Sequence, residues 1–162
     1  MRSRSLVMFV ALVGFTSACE SDDDDIIARY SATLTGGAEF PPVTTSATGS
    51  FEATLDEDNI LRYTVTFSGL SSNSLFAHIH GPAAAGVNAG ILVNFDQPSI
   101  GRVFTVGATS GTASGTVNLN TAINATVTGD SLLVLLNNGN AYVNVHSQTR
   151  QAGEIRGQIA RQ

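Results

Sequence analysis

The segment Ile60-Leu-Arg-Tyr-Thr-Val-Thr-Phe67 places an apolar side chain at every second position. A chain with that period cannot bury its apolar residues as a helix; it must form a strand with one face inward. The same alternation recurs. Tyr30–Leu34 reads as a strand stopped by Gly36-Gly37 and Pro41-Pro42, and Ser50–Leu55 reads as another. Asp56-Glu-Asp-Asn59 joins Ser50–Leu55 to the 60–67 strand as a hairpin of turn formers; its acids lack the spacing of a calcium loop. Further strands are expected over Leu75–His80, Gly90–Phe95, Arg102–Val106, Ser114–Leu119, Ala141–His146 and Gly153–Ile159. Short strands at this spacing make an all-β sandwich or barrel. Ser131–Leu136 breaks the rhythm with a continuous apolar run. Asp130 before it and Gly139 after it suit a cap and a left-handed stop, so one short helix is expected there, closing an end of the barrel.

The N-terminus has a different logic. Arg2 and Arg4 precede an uncharged apolar run from Leu6 to Phe15, followed by the small residues Thr16-Ser17-Ala18 and then Cys19, the sole cysteine. That is the layout of a secretory signal, and the run is too short to span a membrane. Cys19 in that place resembles the lipobox cysteine of bacterial lipoproteins, although Thr16 stands where that family usually has Leu. The resemblance implies a signal peptide over 1–18, a lipidated first mature residue at Cys19, and attachment to a membrane. Glu20-Ser21-Asp22-Asp23-Asp24-Asp25 is a like-charge run suited to a solvated tether, so 19–27 is read as anchor and spacer. Glu20 after Cys19, by similarity to sorting in enteric bacteria, points to the outer membrane or cell surface. Residues 28–162 remain as one β domain. With Cys19 lipidated, that domain has no disulfide and stands on its core alone.

Charge removes one class of function. All eight basic residues are Arg; losing Arg2 and Arg4 with the signal leaves six against thirteen acids, a net −7, and setting aside the five acids of 20–25 leaves −2. A mildly acidic domain lacks the concentrated positive surface of a nucleic-acid binder. No Ser sits in a nucleophile elbow, and the small-residue stretch from Gly81-Pro82 to Gly90 lacks the helix and Lys of a phosphate cradle.

The chemistry-bearing residues lie in two segments. In Phe76-Ala77-His78-Ile79-His80, strand alternation puts His78 and His80 on one face with Ile79 in the core. In Tyr142-Val143-Asn144-Val145-His146, Val143 and Val145 read as core and His146 points the other way. All three histidines of the protein are thus expected on outward, solvent-facing sides of strand ends. If the two strands are neighbours, three imidazoles converge in a geometry suited to copper or zinc, with binding weakening as pH falls through about 6.5. Glu154, Arg156 and Gln158 alternate with Ile155 and Ile159 and read as the wet face of the last strand, where Glu154 or Arg156 can support His146 from behind.

Three motifs carry a family resemblance. Ala77-His-Ile-His-Gly-Pro-Ala83, Ala141-Tyr-Val-Asn-Val-His-Ser147 with Gly153-Glu-Ile-Arg-Gly-Gln158, and the opening Leu34-Thr-Gly-Gly-Ala-Glu-Phe-Pro-Pro42 are similar to the signature of the CHRD domain, over roughly residues 28–160. That family, named for chordin, is known better as a module than as a catalyst. More distantly, the chain resembles copper–zinc superoxide dismutases. They too carry a His-x-His strand and a late strand ending in Val-His, which implies a Greek-key sandwich with His78, His80 and His146 as copper ligands. By the same resemblance Arg150, in the loop Ser147–Ala152, matches the arginine that guides the anion. The departures are that no histidine remains to bridge copper and zinc, no zinc cluster exists, and no cysteine pair braces the barrel. The expectation is therefore an extracytoplasmic metal-binding domain. A non-catalytic module that recognises a protein or polysaccharide is the alternative, and a copper-only dismutase-like enzyme is a weaker one.

Overall fold

The computed structural model describes residues 26–162, so the signal segment, Cys19 and the acidic run lie outside the described residues. Every strand expected from the alternation is present. The first three form a meander: β1 (Ile26–Thr35), β2 (Thr48–Asp56) and β3 (Ile60–Ser68). Their inward faces are Tyr30, Ala32 and Leu34, then Phe51, Ala53 and Leu55, then Leu61, Tyr63, Val65 and Phe67. The β2–β3 turn closes as its residues dictate: Asn59 takes a positive φ of 59°, its N–H donates to the Asp56 carbonyl, and the Asp56 carboxylate accepts from the Ile60 N–H.

The other strands are β4 (Ser74–His80), β5 (Ile91–Asn94), β6 (Val103–Phe104), β7 (Gly111–Asn118), β8 (Tyr142–Ser147), β9 (Arg150–Gln158) and β10 (Ala160–Arg161). All ten join one antiparallel sheet in the order β5-β4-β8-β9-β1-β2-β3-β7-β6, with β10 on β1. The links β3–β4, β5–β6 and β7–β8 cross between its halves, as Greek-key wiring requires. The sheet makes the expected all-β, sandwich-like fold. It curls into a half-barrel around a single core, shared by Leu34, Phe51 and Val65 from one half and Ile79, Val143, Val145 and Ile155 from the other. Val145 is fully buried there, and Val145→Ala is expected to cost about 1–3 kcal/mol in chemical denaturation.

The helix α1 (Gly129–Asn137) drives Leu132 and Leu136 into the core. Its cap differs from the expectation. Thr128, not Asp130, accepts from the Ser131 N–H, and Asp130 sits in the first turn, where a carboxylate still suits the helix dipole. Gly139 provides the left-handed residue after the helix, with φ 66°. Among the described residues no helix is long and apolar enough to cross a membrane.

Candidate metal centre

Strands β4 and β8 are hydrogen-bonded neighbours, in a register that sets His78 opposite Asn144, His80 opposite Tyr142 and Phe76 opposite His146. Ala77, Ile79, Val143 and Val145 use the alternate positions to face the core. The three histidines therefore share the outer face of two adjacent strands, as the alternation required. Their ring centroids lie 5.3 Å (His78–His80), 5.0 Å (His78–His146) and 6.1 Å (His80–His146) apart.

That outer face is not wet, which corrects the expectation of exposed histidines. His78, His80 and His146 are 6–7% exposed, and Tyr142 and Asn144 beside them are buried too. Two loops cover them. One is the 81–90 segment, where Ala89 meets the His80 ring and the Tyr142 hydroxyl; the other is the 36–47 segment, set against Asn144 through Glu39 and tied to the first where the Asn88 side chain donates to the Phe40 carbonyl. Arg156 and Gln158 of β9, expected in solvent, act as pegs for the first loop. Arg156 is 1% exposed and donates to the Asn88 side chain and the Val87 and Ala84 carbonyls, while Gln158 donates to the Ala83 and Gly139 carbonyls. The Arg156 guanidinium also lies 3.3 Å over the Tyr142 ring, and that ring stacks on His80 at 4.9 Å.

The hydrogen bonds dictate which nitrogens are bare. His146 Nδ1 lies 2.9 Å from the Gln151 carbonyl and His80 Nδ1 lies 3.0 Å from the Ala89 carbonyl. A carbonyl only accepts, so both rings carry their proton on Nδ1 and present an unprotonated Nε2. His80 Nε2 is buried with no hydrogen-bond partner. His146 Nε2 faces His78 Nδ1 at 3.1 Å, so His78 donates there in the metal-free tautomer. With His78 in its other tautomer, three lone pairs converge from ring nitrogens that lie within 4.8 Å of one another. Bonds of about 2.0–2.1 Å to a tetrahedral ion need about 3.4 Å between donors, so small ring rotations close the set. A buried bare nitrogen otherwise goes unsatisfied, and the donor set is the imidazole chemistry that copper and zinc favour.

Burial also sets the charge. Desolvation, then the neighbouring imidazoles, lower His78 to about 3. Desolvation lowers His146 to about 4 against its bond to Gln151, and lowers His80 as well. His78 and His146 are neutral, and so competent as ligands, far below the usual histidine range, and His80 is shifted in the same direction.

The remaining expected site residues divide. Arg156 lies behind His80, through Tyr142 and the covering loop. Glu154 is fully buried but turned elsewhere, accepting from Ser147 Oγ at 2.5 Å, from the Ser71 N–H and hydroxyl, and from Thr45. Burial pushes its carboxyl up, yet these hydrogen bonds outweigh that and hold it below the ordinary range. It fastens the end of β8 to two loops rather than contacting an imidazole. Arg150 is exposed at the β8–β9 turn.

One residue escaped the sequence reading. Glu39 is 6% exposed, and desolvation, against the opposing pull of Arg156 and Asn144, raises its carboxyl to about 7. It abuts Gly153, where φ is 128° and any Cβ would run into the Glu39 carboxylate and the Asn144 amide. Gly153→Ala is therefore expected to destabilise the domain markedly, read as a lowered Tm. The only sequence signal was a lone acid in the otherwise uncharged stretch Leu34–Pro42, which runs from β1 to the prolines.

No curated protein matches the chain, and no solved structure does. The CHRD domain family matches residues 30–159, from within β1 through β9, with all three histidines and both covering loops. The chain belongs to the CHRD domain family.

Proposed function

We propose that this CHRD-domain protein binds one copper or zinc ion through His78, His80 and His146, outside the cytoplasm, on a lipid anchor at Cys19. The observation that carries the metal reading is the tautomer pattern. Two of the three rings donate Nδ1–H to backbone carbonyls, which turns bare nitrogens into a buried, covered pocket. Copper is favoured over zinc at equal availability, because affinity rises to copper in the divalent series. Metal content of protein purified without chelators tests this directly. The wild type should carry copper or zinc approaching one per chain, and the triple variant H78A/H80A/H146A should carry none. Equal content in both would remove the histidines from any metal site.

The anchor rests on the signal layout and Cys19. Mass spectrometry of the mature N-terminus should find diacylglycerol on Cys19, and Cys19→Ser should release the protein or stall its processing. An unmodified N-terminus downstream of Cys19 would rule the anchor out. With Glu20 next to Cys19, the favoured destination is the outer membrane or cell surface.

A second reading is a non-catalytic module that recognises an extracellular protein or polysaccharide. It draws support from large apolar side chains left exposed beside the covered face, Phe40, Phe76, Val87 and Ile91. Superoxide chemistry is a further extension. It needs an open coordination position and an anion guide, and Arg150→Ala in a superoxide assay of the copper-loaded protein tests that guide.

A further inference from the structure

Behind the histidines lies a cluster of buried polar atoms with nothing to bind. His80 Nε2, Asn144 Oδ1 and Glu39 Oε1 all lack hydrogen-bond partners, and all three side chains are more than nine-tenths buried. Asn144 links them. Its side chain lies beside His80 on one side and beside Glu39 on the other. Gly153 provides the room, since a side chain there would occupy the space where the Glu39 carboxylate meets the Asn144 amide.

The charges around this cluster do not balance for a cation. Arg156 is buried against the same group, paired with carbonyls, the Asn88 amide and the Tyr142 ring rather than with a carboxylate. The three imidazoles are neutral. A divalent ion among them would add two positive charges beside a buried guanidinium, an arrangement a low-dielectric interior strongly disfavours. The groups facing Glu39 are Arg156 and the Gly153 backbone from β9, Asn144 from β8, and the Phe40 backbone of its own loop. The histidines stand beyond Asn144 on β4 and β8. The nearby buried acid of β9, Glu154, is engaged with Ser147, Ser71 and Thr45. Glu39 is thus the acid placed to offset the added charge.

We propose that Glu39 is the counter-charge of the metal site, held as a neutral carboxylic acid in the metal-free domain and converted to a carboxylate when a divalent ion binds the three histidines. Its proton leaves to solvent, so binding of one ion releases one proton, and Glu39 acts as a positioning and charge-compensating residue without touching the ion. The inference rests on the proposed histidine site. It goes beyond that site by assigning the proton that binding displaces. A carboxyl raised to about 7 is ready to ionise under a modest added field.

The test is calorimetric titration of the metal-free domain with Zn(II) near pH 6, in two buffers of different ionisation enthalpy. There His78 and His146 are already neutral, His80 is shifted the same way, and any proton they release is common to the wild type and Glu39→Gln. The wild type should release close to one proton per zinc, and Glu39→Gln close to none, with zinc affinity weakened about 10–100-fold. Because Gln replaces a neutral acid of the same shape, the metal-free variant should keep the wild-type Tm. Infrared difference spectra, zinc-loaded minus metal-free, should lose a protonated-carboxyl band in the wild type and show no such change in Glu39→Gln. Zinc binding with the same proton release in both proteins would overturn the counter-charge while leaving the histidine site standing. No zinc binding by the wild type would overturn both.

Discussion

Acidifying the metal-free domain from about pH 6.5 to 4.5 is expected to remove several kcal/mol of its stability, well before its ordinary carboxylates titrate. The three histidines are buried neutral, with His78 lowered to about 3, His146 to about 4, and His80 lowered as well. In the unfolded chain each titrates near 6.5. Between those values the unfolded state holds up to three more protons than the native state, so stability falls as pH falls. Glu39 runs the other way. Its folded value of about 7 lies above the unfolded one, so across this window the native state keeps one proton that the unfolded state loses. His78 and His146 against Glu39 leave a net excess of about one proton on the unfolded side, or roughly 1–1.5 kcal/mol per pH unit, and the lowered His80 adds to it. For a domain with a total stability of about 5–15 kcal/mol, that loss is large. Denaturant unfolding at several pH values checks it. His146→Asn should flatten the slope by about one proton, and a slope unchanged by that substitution would contradict the buried neutral assignment.

Loss of any one of the three histidines is expected to weaken copper binding by more than the 10–100-fold typical of residues behind the ligands. His78→Ala, His80→Ala and His146→Ala each delete one of three donors, whereas Glu154→Gln should change affinity little, because its carboxylate is spent on Ser147, Ser71 and Thr45. The pH dependence of binding follows from the same burial. The sequence alone places its loss near pH 6.5, but rings lowered to about 3 and about 4 compete with the metal only in stronger acid. Copper binding should therefore hold at about pH 5.5, so long as the domain stays folded. Equilibrium competition against a chelator of known affinity measures both effects.

Much of this was legible in the sequence because period-2 alternation is a strong signal. Leu61, Tyr63, Val65 and Phe67 face the core as written, and so do Ile79, Val143 and Val145. The adjacency of β4 and β8, which the site needed, is a long-range pairing that no local pattern encodes; the shared CHRD motifs pointed to it only indirectly. The second burial was missed for a related reason. Alternation says which side chains share a face, and it is silent on whether a loop later covers that face. Here the 36–47 and 81–90 segments, joined by Asn88 and pegged by Arg156, turn an expected wet surface into a polar interior. Arg156 changed from surface charge to peg, and Glu39 entered from a turn that read as mere punctuation. The helix cap shifted by two residues, because Thr128 and Asp130 are both good caps and Thr128 alone stands at the extended position before the first turn.

Metal binding by the three histidines is tested most directly by copper titration of the metal-free domain followed by electron spin resonance. One Cu(II) should bind per chain, with nitrogen hyperfine structure from imidazole donors that is lost in H78A/H80A/H146A. A wild-type spectrum indistinguishable from that of the triple variant, or from copper in buffer, would contradict it and leave the CHRD domain as a recognition module.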